Sequence, residues 1–327
     1  MDAGNSKTDV AVVGSDGTVY GTARGGGFQP QAVGVEPAVD VLQSLAAEAE
    51  AEALGELRPP LRIGHVSACL ANADFPVEEE RLSAELSRRN RAAAVSPTVE
   101  VVNDTFALLR AGLPDEGEPA GVAVVCGAGI NCSGLAPGGR TARFAAVGRI
   151  SGDWGGGGHL AEEALWWAAR AEDGRGGPTA LARELPAHFG LRTMLELIEA
   201  LHLGRIERQR RHELTPVLFA VAAAGDAVAR AIVERQADEV VGMAAAALAR
   251  LDLLDADVPV VLGGGVLAAR HPLLHERVVE LLAVRAPRAV PCVVTAPPVL
   301  GAALLAFDRA GAAPAAYARL RAHYARA

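Results

Sequence analysis

The chain has 327 residues, half of them apolar and about a fifth charged, with 36 glycines and a net charge of −8. A chain of that length exceeds what one core usually supports, so two domains are expected. An acidic chain without a Lys/Arg-rich run has no footprint for nucleic acid, no run of 18 apolar residues suits a bilayer, and the four cysteines (Cys69, Cys126, Cys132, Cys292) form no CxxC or disulfide framework, so a cytoplasmic protein is expected.

In chain order, "MDAGNSKT" precedes an apolar strand at 9–13, an "SDG" turn and a returning strand at 18–23. The stretch "RGGGFQPQAVG" reads as a loop, and 35–54 has helical spacing with Val39, Leu42 and Leu45 on one face. A buried strand at 61–68, a charged helix at 77–90 and a short strand at 99–102 follow, the last delivering Asn103, Asp104 and Thr105 at its carboxyl end. That is where α/β sheets carry ligands. Residues 112–121, "GLPDEGEPAG", read as a linker.

A second cycle then starts: the strand "VAVV" at 122–125, the loop "CGAGIN", the strand "CSGLA" and a "PGG" turn. It resembles the opening, so one strand-loop-strand unit is used twice as a weak internal repeat. In the second copy a full strand precedes the loop, whereas in the first only Met1 precedes Asp2; the first strand is therefore expected to begin a few apolar residues upstream. Helices at 160–171, 194–203 and 226–251 alternate with strands at 258–262 and 290–295, which argues for an α/β fold. A final helix is read at 315–326, and the run "RIERQRRHE" at 205–213 reads as a solvated face.

Glycine-rich loops recur at 4–7, 127–131, 155–158 and 263–265. Glycine lets backbone N–H groups turn toward an anion and lets phosphate approach without a Cβ in the way. No GxGxxG follows a strand and no GxxxxGK[ST] is present, so neither a Rossmann nor a P-loop site is supported. A phosphate site assembled from several loops is the alternative.

The ordered set "DAGNSKT", "NDT", "GAGIN", "GDWGGGG" and "LGGGV" resembles the N-acetylglucosamine kinase and BadF/BadG/BcrA/BcrD ATPase family, of the actin-like superfamily, from Asp2 to about Phe307. The resemblance implies a two-domain actin-like ATPase (duplicated ribonuclease H-like) fold with an interdomain cleft: domains at 1–115 and 116–312, and a helix at 313–327 packing back on the first. It implies ATP and Mg²⁺, with Asp2 facing the metal and Gly4, Asn5, Ser6, Lys7 and Thr8 at phosphate. Asp104 falls at the general base, which takes a proton from the attacking hydroxyl. Helix capping is the bland reading of the same residue.

By the same resemblance Gly127, Ala128 and Gly129 form a second phosphate loop, Gly264 and Gly265 an adenosine motif, and Gln29, Asn103, Asn131 and Asp153 contact sugar. Gln29 stands where the family has Asn, Ala128 where it has Thr, and Trp154 also departs. The implied activity is ATP-dependent phosphorylation of N-acetylglucosamine or a related amino sugar, by a homodimer without nucleic-acid or membrane partners. Two readings stay beside it. One is a non-kinase ATPase that activates an acyl-CoA dehydratase or reductase, whose relatives hold an iron-sulfur cluster on interface cysteines that find no matching pattern here. The other is a sugar-sensing protein that has lost turnover.

Overall fold

A computed structural model of the chain describes residues 1–56, 62–92 and 97–326. Leu61, the expected start of the buried strand at 61–68, lies outside them. Packing divides the chain into two compact units, one of 1–123, 133–145 and 294–327, the other of 124–132 and 146–293.

The first unit opens with strands β1 (Asp2–Ala3), β2 (Lys7–Val13) and β3 (Val19–Gly26), then helices α1 (Pro30–Val33) and α2 (Val35–Glu56). Strand β4 (His65–Leu70), helix α3 (Pro76–Ala92), strand β5 (Thr98–Asn103) and helix α4 (Thr105–Gly112) follow. The sheet order is β3-β2-β1-β4-β5, antiparallel across the hairpin and parallel from β1 to β5. The ladder carries β3 three residues beyond the expected strand end, through the glycine run, because Lys7 pairs with Gly26 and Thr8 with Gly25. The α2 face expected from spacing is buried: Val39, Leu42, Leu45, Ala49 and Ala53 pack under the sheet with Val10, Val12 and Leu70.

Strands β6 (Gly121–Cys126), β7 (Ile130–Ala136) and β8 (Arg140–Arg143) open the second cycle. Helices α5 (Gly156–Glu172), α6 (Leu181–His188), α7 (Met194–His202), α8 (Leu214–Ala223) and α9 (Ala227–Arg250) come next. Strand β9 (Pro259–Gly263), helices α10 (Gly265–Ala268) and α11 (Pro272–Arg285), strand β10 (Val290–Val293) and helices α12 (Pro298–Ala310) and α13 (Pro314–Tyr324) complete the chain. The second sheet has the order β10-β9-β6-β7-β8. Read from β8, it repeats the first, since a hairpin of three strands is followed on the far side of its first member by two more. The suspected repeat is therefore one topology used twice. Along α9 the expected stripe of Ile232, Val233, Val240, Val241 and Leu248 is buried.

The compact units differ from the expected division at 115/116, and close contacts explain why. Helix α12 lies so near α4 that a Cβ on Gly301 would stand 1.7 Å from the Ala107 carbonyl oxygen. Segment 133–145 is tied through Arg143, which donates to Glu79 at 2.7 Å and to the Ala73 carbonyl at 2.9 Å. Helix α13 packs Ala316 and Leu320 against Leu304, Phe307 and Val13. Among the described residues no single helix is long and apolar enough to cross a membrane.

One buried charge holds this return. Arg110, 1 % exposed, donates to Asp308 at 2.6 Å and to Asp115 at 2.9 Å. Removing one member of a buried ion pair strands the others, at about 3–5 kcal/mol; both partners here keep some solvent. Arg110→Ala is expected at the low end of that range, read as a melting temperature several degrees lower.

Candidate active site

In the first unit the polar residues gather where β1, β4 and β5 end. Asp2 sits in β1, 4 % exposed and paired in register with Asp9. The chain then turns, with Gly4 N–H donating to the Lys7 carbonyl at 2.9 Å and Phe28 N–H to the Gly4 carbonyl at 2.9 Å. Gln29 Nε2 donates to the Asn5 carbonyl at 3.3 Å, so the "FQP" and "GNSK" loops form one wall. Gly27 makes that approach possible, since a Cβ there would stand 2.0 Å from the Asn5 oxygen.

Sequence reasoning missed the residue that joins these loops. Asn72 Nδ2 donates to Asn5 Oδ1 and to the Phe28 carbonyl, both at 2.9 Å, from a backbone at φ +61°. Asparagine tolerates that left-handed region better than most residues. The available signal was a short polar stretch, "NAD", just past the end of β4.

Lys7 Nζ lies 3.3 Å from Asp9, and Asn5 and Ser6 are exposed. Thr8, expected at phosphate, is instead fully buried, its hydroxyl donating to the Gly26 carbonyl at 2.8 Å, because the hairpin ladder turns it inward. Asn103, expected at sugar, is also turned inward. Its Oδ1 accepts from the Thr105 N–H at 3.1 Å and hydroxyl at 2.6 Å, and its Nδ2 donates to Asp74 at 2.9 Å. Asn103 therefore caps α4, and Asp104, although at the cap position, makes no side-chain capping bond.

Burial and then the charges of Asp2 and Asp74 raise the Asp104 carboxyl to about 7. Asp2 is raised to about 7 as well, chiefly by burial and further by Asp9. Carboxylates so placed keep their protons to higher pH than ordinary ones, and nearby positive charge favours their ionised form.

In the second unit the glycine loops are stitched together. Gly127 N–H donates to the Gly129 carbonyl at 2.9 Å, and the first turn of α5 returns bonds to that loop: Gly157 N–H to the Gly127 carbonyl at 2.7 Å and Gly158 N–H to the Ala128 carbonyl at 2.9 Å. Gln236, fully buried in α9, accepts from Gly156 N–H at 2.9 Å. Gly156 has φ +83°, and a Cβ there would stand 2.4 Å from the Gly129 carbonyl. Gly264, at φ +80°, is likewise pressed on the Cys126 backbone.

Beside these loops is a cavity of about 590 Å³ whose lining includes Gly127, Ala128, Gly265, Pro216, Phe219 and His271. The Phe219 and His271 rings stand 4.7 Å apart, tilted by 39°. Its size and walls suit a flat, largely apolar ligand end, with backbone-rich loops at one side. Helix α8, which supplies Phe219 and Pro216, was missed in the sequence, so this wall was too.

Asp153 is 8 % exposed and accepts a hydrogen bond from Ser151, while its N–H donates to the Gly148 carbonyl at 3.0 Å. Asn131 Oδ1 accepts from Cys132 N–H at 2.7 Å. Trp154 is buried with the Arg235 guanidinium 3.9 Å above its ring. Cys69, Cys126 and Cys132 are buried, and burial pushes the first two thiols up to about 12, so they do not fit a surface-shared iron-sulfur cluster.

Two copies of a five-stranded mixed sheet, with polar loops at strand ends, define the actin-like ATPase fold that sugar kinases share. A glucokinase of the ROK family from Streptomyces griseus, solved with glucose and AMPPNP, matches at TM-score 0.55 and 18 % identity over 93 % of this chain and 97 % of that one. A Chromobacterium violaceum structure, provisionally named an N-acetylglucosamine kinase, matches at TM-score 0.65 and 23 % identity over 93 % and 96 %.

The chain belongs to the BadF/BadG/BcrA/BcrD ATPase family, whose model matches residues 1–306. Relatives in sequence include an N-acetylmuramic acid/N-acetylglucosamine kinase of Clostridium acetobutylicum, 27 % identical over 268 residues, or 82 % of this chain and 84 % of that protein. An N-acetyl-D-glucosamine kinase of Dictyostelium discoideum is 25 % identical over 244 residues, 74 % of this chain and 75 % of that protein.

Proposed function

We propose that the protein is an ATP-dependent kinase that phosphorylates a hydroxyl of N-acetylglucosamine or a related amino sugar. The observation that carries this reading is Asp104, a carboxylate left uncapped at the end of β5 because Asn103 takes over the capping of α4. In the reaction Asp104 accepts the proton of the sugar hydroxyl as that oxygen bonds to the γ-phosphorus; the bond from γ-phosphorus to the bridging oxygen breaks and ADP leaves. Asn103 and Asn72 are positioning residues, the first for Asp104 and the second for the Asn5 and Phe28 loops.

The remaining assignments follow the glycine loops. Gly4, Asn5, Ser6 and Lys7, with Gly127, Ala128 and Gly129, face phosphate; Gly264 and Gly265 back the adenosine, whose base takes the apolar cavity. Gln29, Asn131 and Asp153 contact the sugar. Asp2 fits a magnesium ion, since a buried carboxylate crowded by Asp9 favours a nearby cation and Mg²⁺ is usually held by one or two carboxylates with water and phosphate. When bound, the ion neutralises phosphate charge. Exposed apolar side chains on α5 and α7, Trp166 at 57 % and Leu195 at 68 %, support a homodimer.

Coupled ADP release across N-acetylglucosamine, glucosamine, N-acetylmannosamine, N-acetylmuramic acid and glucose tests the reading. A rate that depends on one of the amino sugars is expected, and release independent of every sugar would sink it. The pH profile carries a second prediction. Asp104 must be ionised to act, and its raised pKa means that kcat/KM falls as pH drops through the region near 7. Asp74 is one cause of the elevation, so Asp74→Asn is expected to move this acid limb to lower pH; an unmoved limb would contradict the assignment.

A further inference from the structure

Three consecutive glycines close β3 and open the loop after it, and packing accounts for two of them. A Cβ on Gly25 would stand 2.8 Å from Leu45 Cδ1 of α2, and one on Gly27 would stand 2.0 Å from the Asn5 carbonyl oxygen. A Cβ on Gly26 would meet nothing within 4 Å, and the Gly26 backbone lies outside the left-handed region that favours glycine. Glycine weakens a strand, so one that neither packing nor backbone conformation requires marks a place where a ligand or another backbone comes close.

The ladder says what surrounds that bare position. Along β3 Thr22, Arg24 and Gly26 are exposed while Ala23 and Gly25 are not, as the alternation of a strand requires. Gly26 stands opposite Lys7 and Arg24 opposite Asp9, so Lys7, Asp9, Arg24 and Gly26 share one face of the hairpin. Arg24 Nε donates to Asp9 Oδ1 at 2.5 Å, and Lys7 Nζ lies 3.3 Å from Asp9 Oδ2. Asp9, 6 % exposed, thus fixes one cation from each strand on either side of Gly26. Arg24 spends only Nε on this contact. Its two Nη groups make no hydrogen bond among the described residues, and its side chain is 67 % exposed. The Gly26 carbonyl, which would repel an anion, is engaged by the buried Thr8 hydroxyl at 2.8 Å.

We propose that Gly26 is the floor of a phosphate subsite whose sides are Lys7 and the free Nη groups of Arg24, and that it takes a phosphate of the bound nucleotide. The inference rests on the nucleotide-binding part of the proposed function and adds Gly26 and Arg24 to its contacts. The missing side chain lets a phosphate oxygen reach the backbone between the two cations. An arginine anchored at Nε presents its remaining N–H groups as a fixed set of donors, the geometry that phosphate accepts. Two cations to one carboxylate leave this face with positive charge to spare; Asp2, beyond Asp9 on β1, is the residue assigned to magnesium. Asp9 is then a positioning residue that aims both cations and itself touches no phosphate.

Calorimetric titration of the full chain with ATP and with adenosine, beside thermal melting, tests this on Gly26→Ala, Gly26→Val, Arg24→Gln and Arg24→Lys. Gly26→Ala is expected to melt at the same temperature or higher, because its Cβ enters open space and alanine costs a strand less than glycine. ATP binding is nonetheless expected to weaken at least about tenfold, and further in Gly26→Val. Arg24→Gln is expected to lose about tenfold as well, the worth of a hydrogen bond to a charged group, and Arg24→Lys less, since the charge remains. Adenosine affinity is expected to be unchanged throughout, a pattern that a purely structural role would not produce. Equal ATP affinity in Gly26→Ala and the unsubstituted protein would overturn the proposal, as would equal losses for adenosine and ATP. Weaker ATP binding in the variants together with ADP release that needs no sugar would instead overturn the kinase reading and leave the subsite standing. An unsubstituted protein that binds no ATP would overturn both.

Discussion

Asp104→Asn is expected to lower kcat by about 10²–10⁴-fold, the usual contribution of a positioned general base. The substitution keeps size and shape and removes only the ability to accept a proton at neutral pH. Its structural consequences are small, because the Asp104 side chain makes no capping bond and the backbone bonds of the residue, its N–H to the Leu70 carbonyl at 3.2 Å and its carbonyl to Ala107 N–H at 3.1 Å, are untouched. Melting should stay level or rise, since a carboxyl whose ionised form is disfavoured by burial has been neutralised. ATP affinity should change little. A variant that retains kcat within a few-fold would remove Asp104 from the reaction, and one that loses kcat together with its melting transition would make it a folding residue.

The second large effect is expected at Gly156. Two things bar a side chain there: φ of +83°, and a Cβ position 2.4 Å from the Gly129 carbonyl. Left-handed backbone strain in a residue other than glycine costs about 1–3 kcal/mol. The overlap is with backbone, so relief requires α5 and the 127–131 loop to separate. A shift of about 1 Å in a positioning loop can cost about 10²-fold in rate, and kcat/KM for ATP in Gly156→Ala is expected to fall by that order. Gly177→Ala is the control, because a Cβ at Gly177 meets nothing within 4 Å and the residue lies outside the cavity lining. Equal losses in the two variants would show that the 127–131 loop does not set nucleotide binding.

How much of this was readable in the residues depends on the range of the interaction. The "SDG" hairpin, the α2 and α9 stripes and the strand leading to Asp104 are local patterns, and the structure contains them. The reach of β3 through a glycine run was not local; pairing with β2 overrides the weak strand preference of glycine. Thr8 and Asn103 were named for function by motif, yet the pleat and the cap of α4 turn both inward. Asn72 and the Phe219 wall were passed over for the opposite reason, since neither belongs to a motif and each matters chiefly through what the fold brings beside it. The return of 294–312 to the first unit rests on Gly301 meeting α4 and on Arg110 meeting Asp308, contacts almost two hundred positions apart.

The most direct test of the central claim is to identify the product. Purified protein is incubated with ATP, Mg²⁺ and N-acetylglucosamine, and phosphate on the sugar is quantified by mass spectrometry against ADP released. The account predicts one phosphorylated sugar per ADP in the unsubstituted protein and almost none in Asp104→Asn. ADP formed at equal rates with and without sugar, with inorganic phosphate as its partner product, would contradict it.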